Sequence, residues 1–150
     1  MRQIVYGDAQ DLIAWAVERI GGYEFRPDAK AIGVQSDEHL VGVVVFDNHS
    51  PGSCCISVAS DGSSRWLNRV FLIHVFAYPF IQLQYRRLTA LISESNAPSI
   101  RFCESCGFQR EGILREGAPG GEDMLVYGLL RRDCRFLPER FAGKVGRPAV

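Results

Sequence analysis

Hydrophobic residues recur along the chain with two periods, near 3.6 residues in some stretches and 2 in others. Residues 2–5 have the composition of a short first strand. Apolar residues at helical spacing follow between positions 12 and 20 and predict a helix, which Asp8 would cap and Gly21 and Gly22 would end. The chain therefore opens with a strand and a helix.

Strand-type runs dominate the next forty residues. Residues 31–36 and 40–47 flank a polar triplet and predict a hairpin. Positions 41–46 are almost wholly apolar, which is typical of a strand buried on both faces. A loop at 48–53 then leads into a fourth strand, predicted at 54–59.

A long apolar helix is predicted from Trp66 to about Ile81. Its stripe consists of positions 66, 70, 73, 77 and 80, and further apolar residues cover much of the remaining circumference. We therefore expect it to be largely buried or to present a second face to a partner. Pro79 is expected to mark its last turn, because proline is unfavourable in a helix interior.

The last third of the pattern is a strand at 87–92, a short helix opened by Pro98 and ended by Gly107, and strands at 109–115 and 124–130. The element order is strand, helix, hairpin, strand, helix, strand, helix, strand, strand. This order predicts an α/β fold with one mixed sheet of about six to seven strands flanked by three to four helices.

Composition and charge limit the classes of protein. The chain has 150 residues, 47% hydrophobic and 23% charged, which suits one folded domain. Its 17 basic residues balance 17 acidic ones, so nucleic acid is an unlikely partner. Six of the basic residues fall within 131–150, which predicts a main domain of 1–132 followed by a basic tail of 133–150.

Two absences in the sequence bear on location and metals. No apolar stretch is long enough to cross a membrane. The chain has five cysteines, an odd number, which suggests free thiols in a reducing compartment. We therefore expect a cytoplasmic protein. Cys103 and Cys106 form a C-x-x-C pair, but the adjacent Cys54 and Cys55 lack the spacing of a second zinc-binding pair. No metal site is predicted.

An ordered series of motifs runs through 87–131. Its members are Arg87-Leu88-Thr89-Ala90, Asn96 with Ser99-Ile100-Arg101-Phe102, Glu104-Ser105-Cys106-Gly107-Phe108, Glu111-Gly112 with Leu114-Arg115, and Asp123 with Tyr127-Gly128-Leu129-Leu130-Arg131. This series resembles the C-terminal half of the GNAT superfamily, and more closely its RimJ and RimL-like ribosomal-protein N-terminal acetyltransferases. The resemblance implies a GNAT-like domain that transfers an acetyl group from acetyl-CoA to an amine, with a protein N-terminus as one candidate acceptor.

The resemblance also implies a cofactor site. In this superfamily an R-x-x-G-x-G/A loop opens the helix at the diphosphate, because the backbone amides there must approach the phosphates closely. Here Arg65 matches the first position, whereas Asn68 and Val70 replace the small residues. The pantetheine arm would lie between the fourth and fifth strands. The cofactor-binding residues implied are Val58, Ala59, Arg65, Trp66, Leu67, Asn68, Arg69, Asn96, Ser99 and Phe102.

Two of these residues have an alternative role. Trp66 can instead be the first core residue of the apolar helix, and Asn96 can serve only as the N-cap of the Pro98 helix. Arg65 and Arg69 would add direct phosphate contacts beside the helix N-terminus.

Cys103 is the candidate catalytic residue. It stands four residues before Gly107, where the resemblance implies the acid that protonates the departing thiolate. The alternative is a small hydrophobe packed under Phe108. Asp61, His74 and Glu24 are candidates for a general base by residue type alone.

The histidines carry less information. His74 interrupts an apolar helix, which favours a core or interface role, whereas His39 and His49 are predicted in turns, exposed to solvent.

Two functions from different classes remain open at this point. One is the acetyl-CoA-dependent N-acetyltransferase. The other is a GNAT-fold binding or structural module with reduced turnover, favoured by Asn68, Val70, Cys103 and the all-round apolar helix. Residues 60–66 and 76–80 also resemble GNAT-like proteins of tailed bacteriophages, which would fit a phage enzyme or a virion-associated protein. A homodimer or larger assembly is expected if the apolar helix is exposed.

Overall fold

The computed structural model describes residues 2–6, 9–21, 24–63 and 65–138. Within them, one seven-stranded mixed sheet is flanked by three α-helices, which confirms the predicted α/β class and single domain. The strands are β1 Arg2–Val5, β2 Lys30–Ser36, β3 His39–Ser50, β4 Ser53–Ser60, β5 Arg87–Ser93, β6 Gln109–Leu114 and β7 Met124–Leu130. The helices are α1 Ala9–Ile20, α2 Arg69–Ala77 and α3 Ala97–Ser105, with a π-helical turn at Tyr78–Gln82 and a 3₁₀ turn at Arg131–Asp133.

The strand order is β1-β2-β3-β4-β5-β7-β6. Every neighbouring pair is antiparallel except β4 and β5, which are parallel. That parallel ladder covers only residues 53–55 of β4 and 87–89 of β5. Beyond it the two strands no longer pair, although both continue.

The sheet is buried on both faces around β3. Val43 and Val45 pack with Leu12 of α1 on one face, and Val44 and Phe46 belong to the larger core on the other. All four β3 side chains are at most 1% exposed. The predicted doubly buried strand is therefore confirmed, and alternation of side chains along β3 explains how one strand supplies two cores.

The first helix and the hairpin are confirmed with small changes. Gly21 ends α1 with φ +71, and its amide donates to the Val17 carbonyl at 3.0 Å. Asp8 and Gly22 lie outside the described residues. Asp37 and Glu38 turn the hairpin with φ of 53 and 69, the left-handed conformations that tight hairpins require.

The loop predicted at 48–53 is wrong, because β3 continues to Ser50 and only Pro51 and Gly52 separate it from β4. The Asp28 carboxylate holds this extension by accepting the amides of Asn48 at 3.0 Å and His49 at 2.8 Å. These bonds lower the pKa of Asp28, the His49 amide contributing most. A contact with a residue 20 positions away thus replaces the expected loop.

The apolar helix is shorter than predicted. The Asn68 side chain accepts the Phe71 amide at 2.8 Å and caps α2, so Trp66 lies in a turn before the helix. Val70, predicted on the buried stripe, is 60% exposed. Pro79 lies in a π-helical turn, closed by the Leu83 amide donating to the Tyr78 carbonyl at 3.0 Å.

The predicted division at residue 132 stays a prediction. Of the predicted tail, residues 133–138 are described, and Cys134, Phe136 and Leu137 there are buried in the larger core. The later basic residues of the tail lie outside the described ranges. Among the helices of the described chain, none is long and apolar enough to cross a membrane.

Candidate functional site

The divergence of β4 and β5 opens a cavity of about 320 Å³ in the middle of the sheet. Its walls include Ser57 and Val58 of β4 and the β5 residues 90–93. Ser99, Phe102 and Cys103 of α3 also line it, as do Ile20 at the end of α1 and Gly21 just after it. The strand edges that face each other here carry backbone groups that no β4–β5 ladder uses.

A second, more open cavity of about 670 Å³ adjoins the first, because both are lined by Val58, Ser99 and Phe102. Trp66 and Leu67, which lie in the turn before α2, also line it. The two cavities therefore share part of their walls, and the second one borders the segment that precedes α2.

The structure brings together most of the predicted site residues. Those that line one or both cavities are Val58, Trp66, Leu67, Asn96, Ser99, Phe102 and Cys103. Ala59 lines neither cavity and is 4% exposed in the core beneath α1. Arg65 and Asn68, just before α2, and Arg69, its first residue, also line neither cavity.

Trp66 is a core residue as well as a cavity wall. It is 6% exposed, and its ring lies 5.0 Å from that of Phe102 and edge-on to Phe71 at 6.4 Å, centroid to centroid. Gly42 makes room for it, since a Cβ at position 42 would lie 2.6 Å from the Trp66 Cβ. The opening between β4 and β5 is thus not filled by the indole.

Polar groups in the turn before α2 form hydrogen bonds and an ion pair with one another. The Arg65 guanidinium lies 3.0 Å from the Asp61 carboxylate. Hydrogen bonding by the Ser63 hydroxyl, more than by Arg65, lowers the pKa of Asp61. Asp61 lines neither cavity, and both of its carboxylate oxygens accept hydrogen bonds within this turn, from Ser63 and Arg65. Asn68 uses the Phe71 amide, one of the groups expected to face a phosphate.

Asn96 performs the capping role and also lines the cavity. Its side-chain oxygen accepts the Ser99 amide at 3.3 Å at the start of α3. Its place in the wall of the first cavity leaves room for a contact with a bound ligand as well.

Cys103 is 5% exposed and lines the first cavity. Burial raises the pKa of its thiol to about 12, so it stays protonated at neutral pH. Gly107, with φ +101, lets the chain fold back so that the Phe108 amide donates to the Cys103 carbonyl at 3.0 Å. The thiol therefore combines the packing role with a position facing the cavity.

The other titratable candidates lie elsewhere. His74 bonds to the hydroxyl of Tyr6, and Glu24 is exposed. The prediction that His49 lies in a solvated turn is wrong. His49 is half-buried on β3, and its Nδ1 lies 2.9 Å from the Tyr85 hydroxyl. His39 is exposed at the start of β3. All five cysteines are free thiols, as predicted.

Sequence reasoning missed Glu122, which lines the first cavity. It lies just before β7 in the glycine-rich segment that connects the last two strands, where no periodicity assigns side chains to a face. The only local signal is an acidic residue between a glycine and a strand. Arg101, which lines the second cavity, was quoted in the motif series but not assigned to the site.

The chain is similar in sequence to the SPbeta prophage-derived uncharacterized N-acetyltransferase YokL of Bacillus subtilis strain 168. The two are 28% identical over 112 residues, which cover 72% of this chain and 61% of YokL. The match thus spans about three-fifths of that protein. No protein-family model matches the chain.

Solved acetyltransferases share its architecture. A mutant form of the spermidine/spermine N-acetyltransferase SpeG of Vibrio cholerae superposes with a TM-score of 0.69 at 16% identity, covering 87% of this chain and 95% of that one. The ribosomal-protein-S5-alanine acetyltransferase of Vibrio fischeri gives 0.69 at 15% identity, covering 89% and 95%.

The architecture is that of the GNAT N-acetyltransferases. At these identities the structural likeness establishes the fold alone. The name of YokL, an N-acetyltransferase, is consistent with that fold. The predicted resemblance to the GNAT superfamily is confirmed at the level of the fold.

Proposed function

We propose that the protein is an acyl-CoA-dependent N-acyltransferase that uses acetyl-CoA to acetylate a primary amine. The observation that carries this proposal is the opening between β4 and β5, where a parallel ladder stops after three paired positions and leaves a cavity in the sheet. The backbone groups along such an opening need hydrogen-bond partners other than a neighbouring strand, and a ligand with amide groups would supply them.

The pantetheine arm of CoA has the required chemistry. Its two amides can exchange hydrogen bonds with the facing strand edges, as an added strand would. Val58, Asn96, Ser99 and Phe102 line the opening and would contact the arm.

The diphosphate would lie in the second cavity, beside the start of α2. A helix N-terminus attracts anions through its free amides and partial positive charge. Arg101 lines this cavity, and Arg69 is exposed in the first turn of α2. The Phe71 amide already donates a hydrogen bond to the Asn68 side chain and is not available to a phosphate. We therefore propose that arginine side chains would supply more of the phosphate binding here than in a glycine-rich loop.

Acetyl-CoA would supply the activated acetyl group. In the role we propose for it, Cys103 holds a proton at the cavity wall and donates it as the thiolate departs.

The names of the structures with a similar fold support an amine as the acceptor. The structures of similar fold are named for action on spermidine or on a ribosomal-protein alanine, both of which present amines. We propose an amine acceptor of this general kind, and a cytoplasmic location in keeping with five free thiols.

The capped start of α2 favours a second function, a GNAT-fold module that binds a ligand or partner with little turnover. The exposed apolar residues Leu67 and Val70 lie beside that start and could contact another protein. Such a module would bind acetyl-CoA weakly or not at all.

Thermal unfolding with and without acetyl-CoA tests the main proposal. At one hundred times its Kd a ligand stabilises by about 2.7 kcal/mol, which for a domain of this size raises the Tm by roughly 5–10 °C. In Ser57→Trp, an indole in the opening should abolish the shift. Ser53→Trp is the matched control, because Ser53 lies on the same face of β4 at the paired end.

No stabilisation of the unmodified protein, or an equal shift in Ser57→Trp, would overturn the proposal. Stabilisation without acetylation of any amine tested would instead support the module.

A further inference from the structure

We infer that Glu122 recognises the acceptor, and that the acceptor enters as a protonated primary amine on an aliphatic chain. This inference rests on the proposed function, since it assigns the second substrate of the same cavity.

Glu122 is the charged group of the cavity. Among the described residues that line the first cavity, it is the one that carries a formal charge at neutral pH; Cys103 is neutral there and the rest are apolar, hydroxyl, amide or glycine residues. A single carboxylate in a largely apolar wall favours a cation and disfavours an anion.

The carboxylate is held in place. The Ser93 hydroxyl donates to Glu122 Oε1 at 3.0 Å. The other oxygen, Oε2, lies over Gly120, where a Cβ would approach it to 2.6 Å. A larger residue at 120 would displace the carboxylate, so the glycine permits this side-chain position. Half-burial and a fixed hydrogen bond reduce the entropy lost when an ammonium group binds.

Neighbouring carboxylates strengthen the negative field. Glu94 and Asp123 belong to the same corner, where the Glu94 amide donates to the Asp123 carbonyl at 3.0 Å and the Asp123 amide to Glu94 Oε1 at 3.4 Å. These acidic groups lie at the end of β5 and the start of β7. A cation approaching this corner is attracted before it meets Glu122.

Apolar residues near Glu122 indicate what kind of group the acceptor carries next to its ammonium group. Ile20 at the end of α1, Leu91 on β5 and Met124 at the start of β7 line the same cavity. Such a surface suits methylene groups next to the ammonium. Both a polyamine and a chain N-terminus offer a protonated amine, and the experiment distinguishes these two sources.

The test measures the binding of amines to the full chain in the absence of acetyl-CoA, by calorimetry or by shifts of the backbone amide signals in NMR spectra. The probes are 1,4-diaminobutane, a tripeptide with a free N-terminal alanine, and uncharged 1,4-butanediol. We expect at least one amine to bind, the diol not to bind, and Glu122→Gln to weaken amine binding by about tenfold or more, as for a lost charged hydrogen bond. Glu116→Gln is the control, an exposed carboxylate in the same connection that lines neither cavity.

Each outcome decides the question. Glu122-dependent binding of one amine supports the inference and names the source. Equal binding to Glu122→Gln, or no amine binding to the unmodified chain with acetyl-CoA either absent or present, overturns it. Because this readout does not require acetyl transfer, amine binding without acetyl-CoA binding would retain the acceptor site while rejecting the transferase.

Discussion

The two ends of the line where β4 meets β5 behave differently. At one end residues 53–55 pair with 87–89, and the Gly52 carbonyl accepts the amides of Arg86 and Arg87 at 2.9 and 3.2 Å. At the other end the same strands stop pairing and surround the cavity. One end is paired, and the other leaves the space in which we propose that a ligand binds.

The contrast shows how a sheet can hold a binding site inside its own plane. The paired end and the antiparallel neighbours β3 and β7 fix the two strands. The position of the opening is therefore set by two strands that also pair along their other edges, β4 with β3 and β5 with β7. Substitutions at the two ends should separate stability from ligand binding.

The largest effect is expected from two leucines of β5. Leu88 is fully buried at the paired end, whereas Leu91 is 38% exposed and lines the cavity. Leu88→Ala should lower the free energy of unfolding by about 2–5 kcal/mol, the range for a fully buried leucine. Leu91→Ala should cost under about 1 kcal/mol but weaken amine binding. Urea unfolding and the amine titration measure the two quantities.

Equal destabilisation by the two leucine substitutions would contradict the division between a structural end and a ligand end.

An intermediate effect is expected at Cys103. Cys103→Ala should slow turnover by roughly tenfold to a hundredfold, at the lower end of general acid catalysis, with acetyl-CoA affinity nearly unchanged. Cys106→Ala is the matched control, a buried thiol with a pKa of about 11 that lines neither cavity. Single-turnover rates and a binding titration separate the two effects. Unchanged turnover in Cys103→Ala would assign that thiol to packing alone.

The smallest effect is expected at the Arg87–Glu111 pair, which joins β5 to β6 beside the paired end. The two side chains approach to 2.6 Å, and hydrogen bonding by Arg87 lowers the pKa of Glu111. A carboxyl whose pKa is lowered by folding stabilises the protein above its unfolded pKa, about 4.3. That contribution is lost as the pH falls through the lower, folded value.

Glu111→Gln should therefore cost roughly 0.2–1 kcal/mol at neutral pH, because the pair is partly exposed. The difference should shrink in acid and in 1 M salt, which screens partly exposed charges. Chemical unfolding at several pH values measures it. A difference that persists unchanged at pH 2 would point to packing instead of charge.

Local signals predicted much of the molecule. The doubly buried run on β3, the hairpin before it, and the short helix between Asn96 and Gly107 all follow from periodicity and capping residues that act within a few positions. The loop prediction failed because of a distant contact, since Asp28 extends β3. The helix start failed for a local reason, because the Asn68 cap begins α2 three residues after Trp66 and the apolar stripe hid that cap.

The residues of the candidate site also fall into a group that local signals predicted and a group that they did not. The motif series pointed to Asn96, Ser99 and Phe102, and the position four residues before Gly107 pointed to Cys103; all four line the cavity. Glu122 could not be found, because its segment has no period and its partner Ser93 is 29 positions away. Ala59 was assigned to the site but packs in the core beneath α1, which depends on where that helix docks.

By itself, the sequence determined which stretches become strands and helices, because period, caps and turn residues act over a few neighbouring positions. Only the tertiary structure decided where β4 and β5 part and which side chains face the gap. Strand pairing is non-local: it depends on which edges meet after the whole sheet has assembled, and no run of residues in either strand records where the ladder stops.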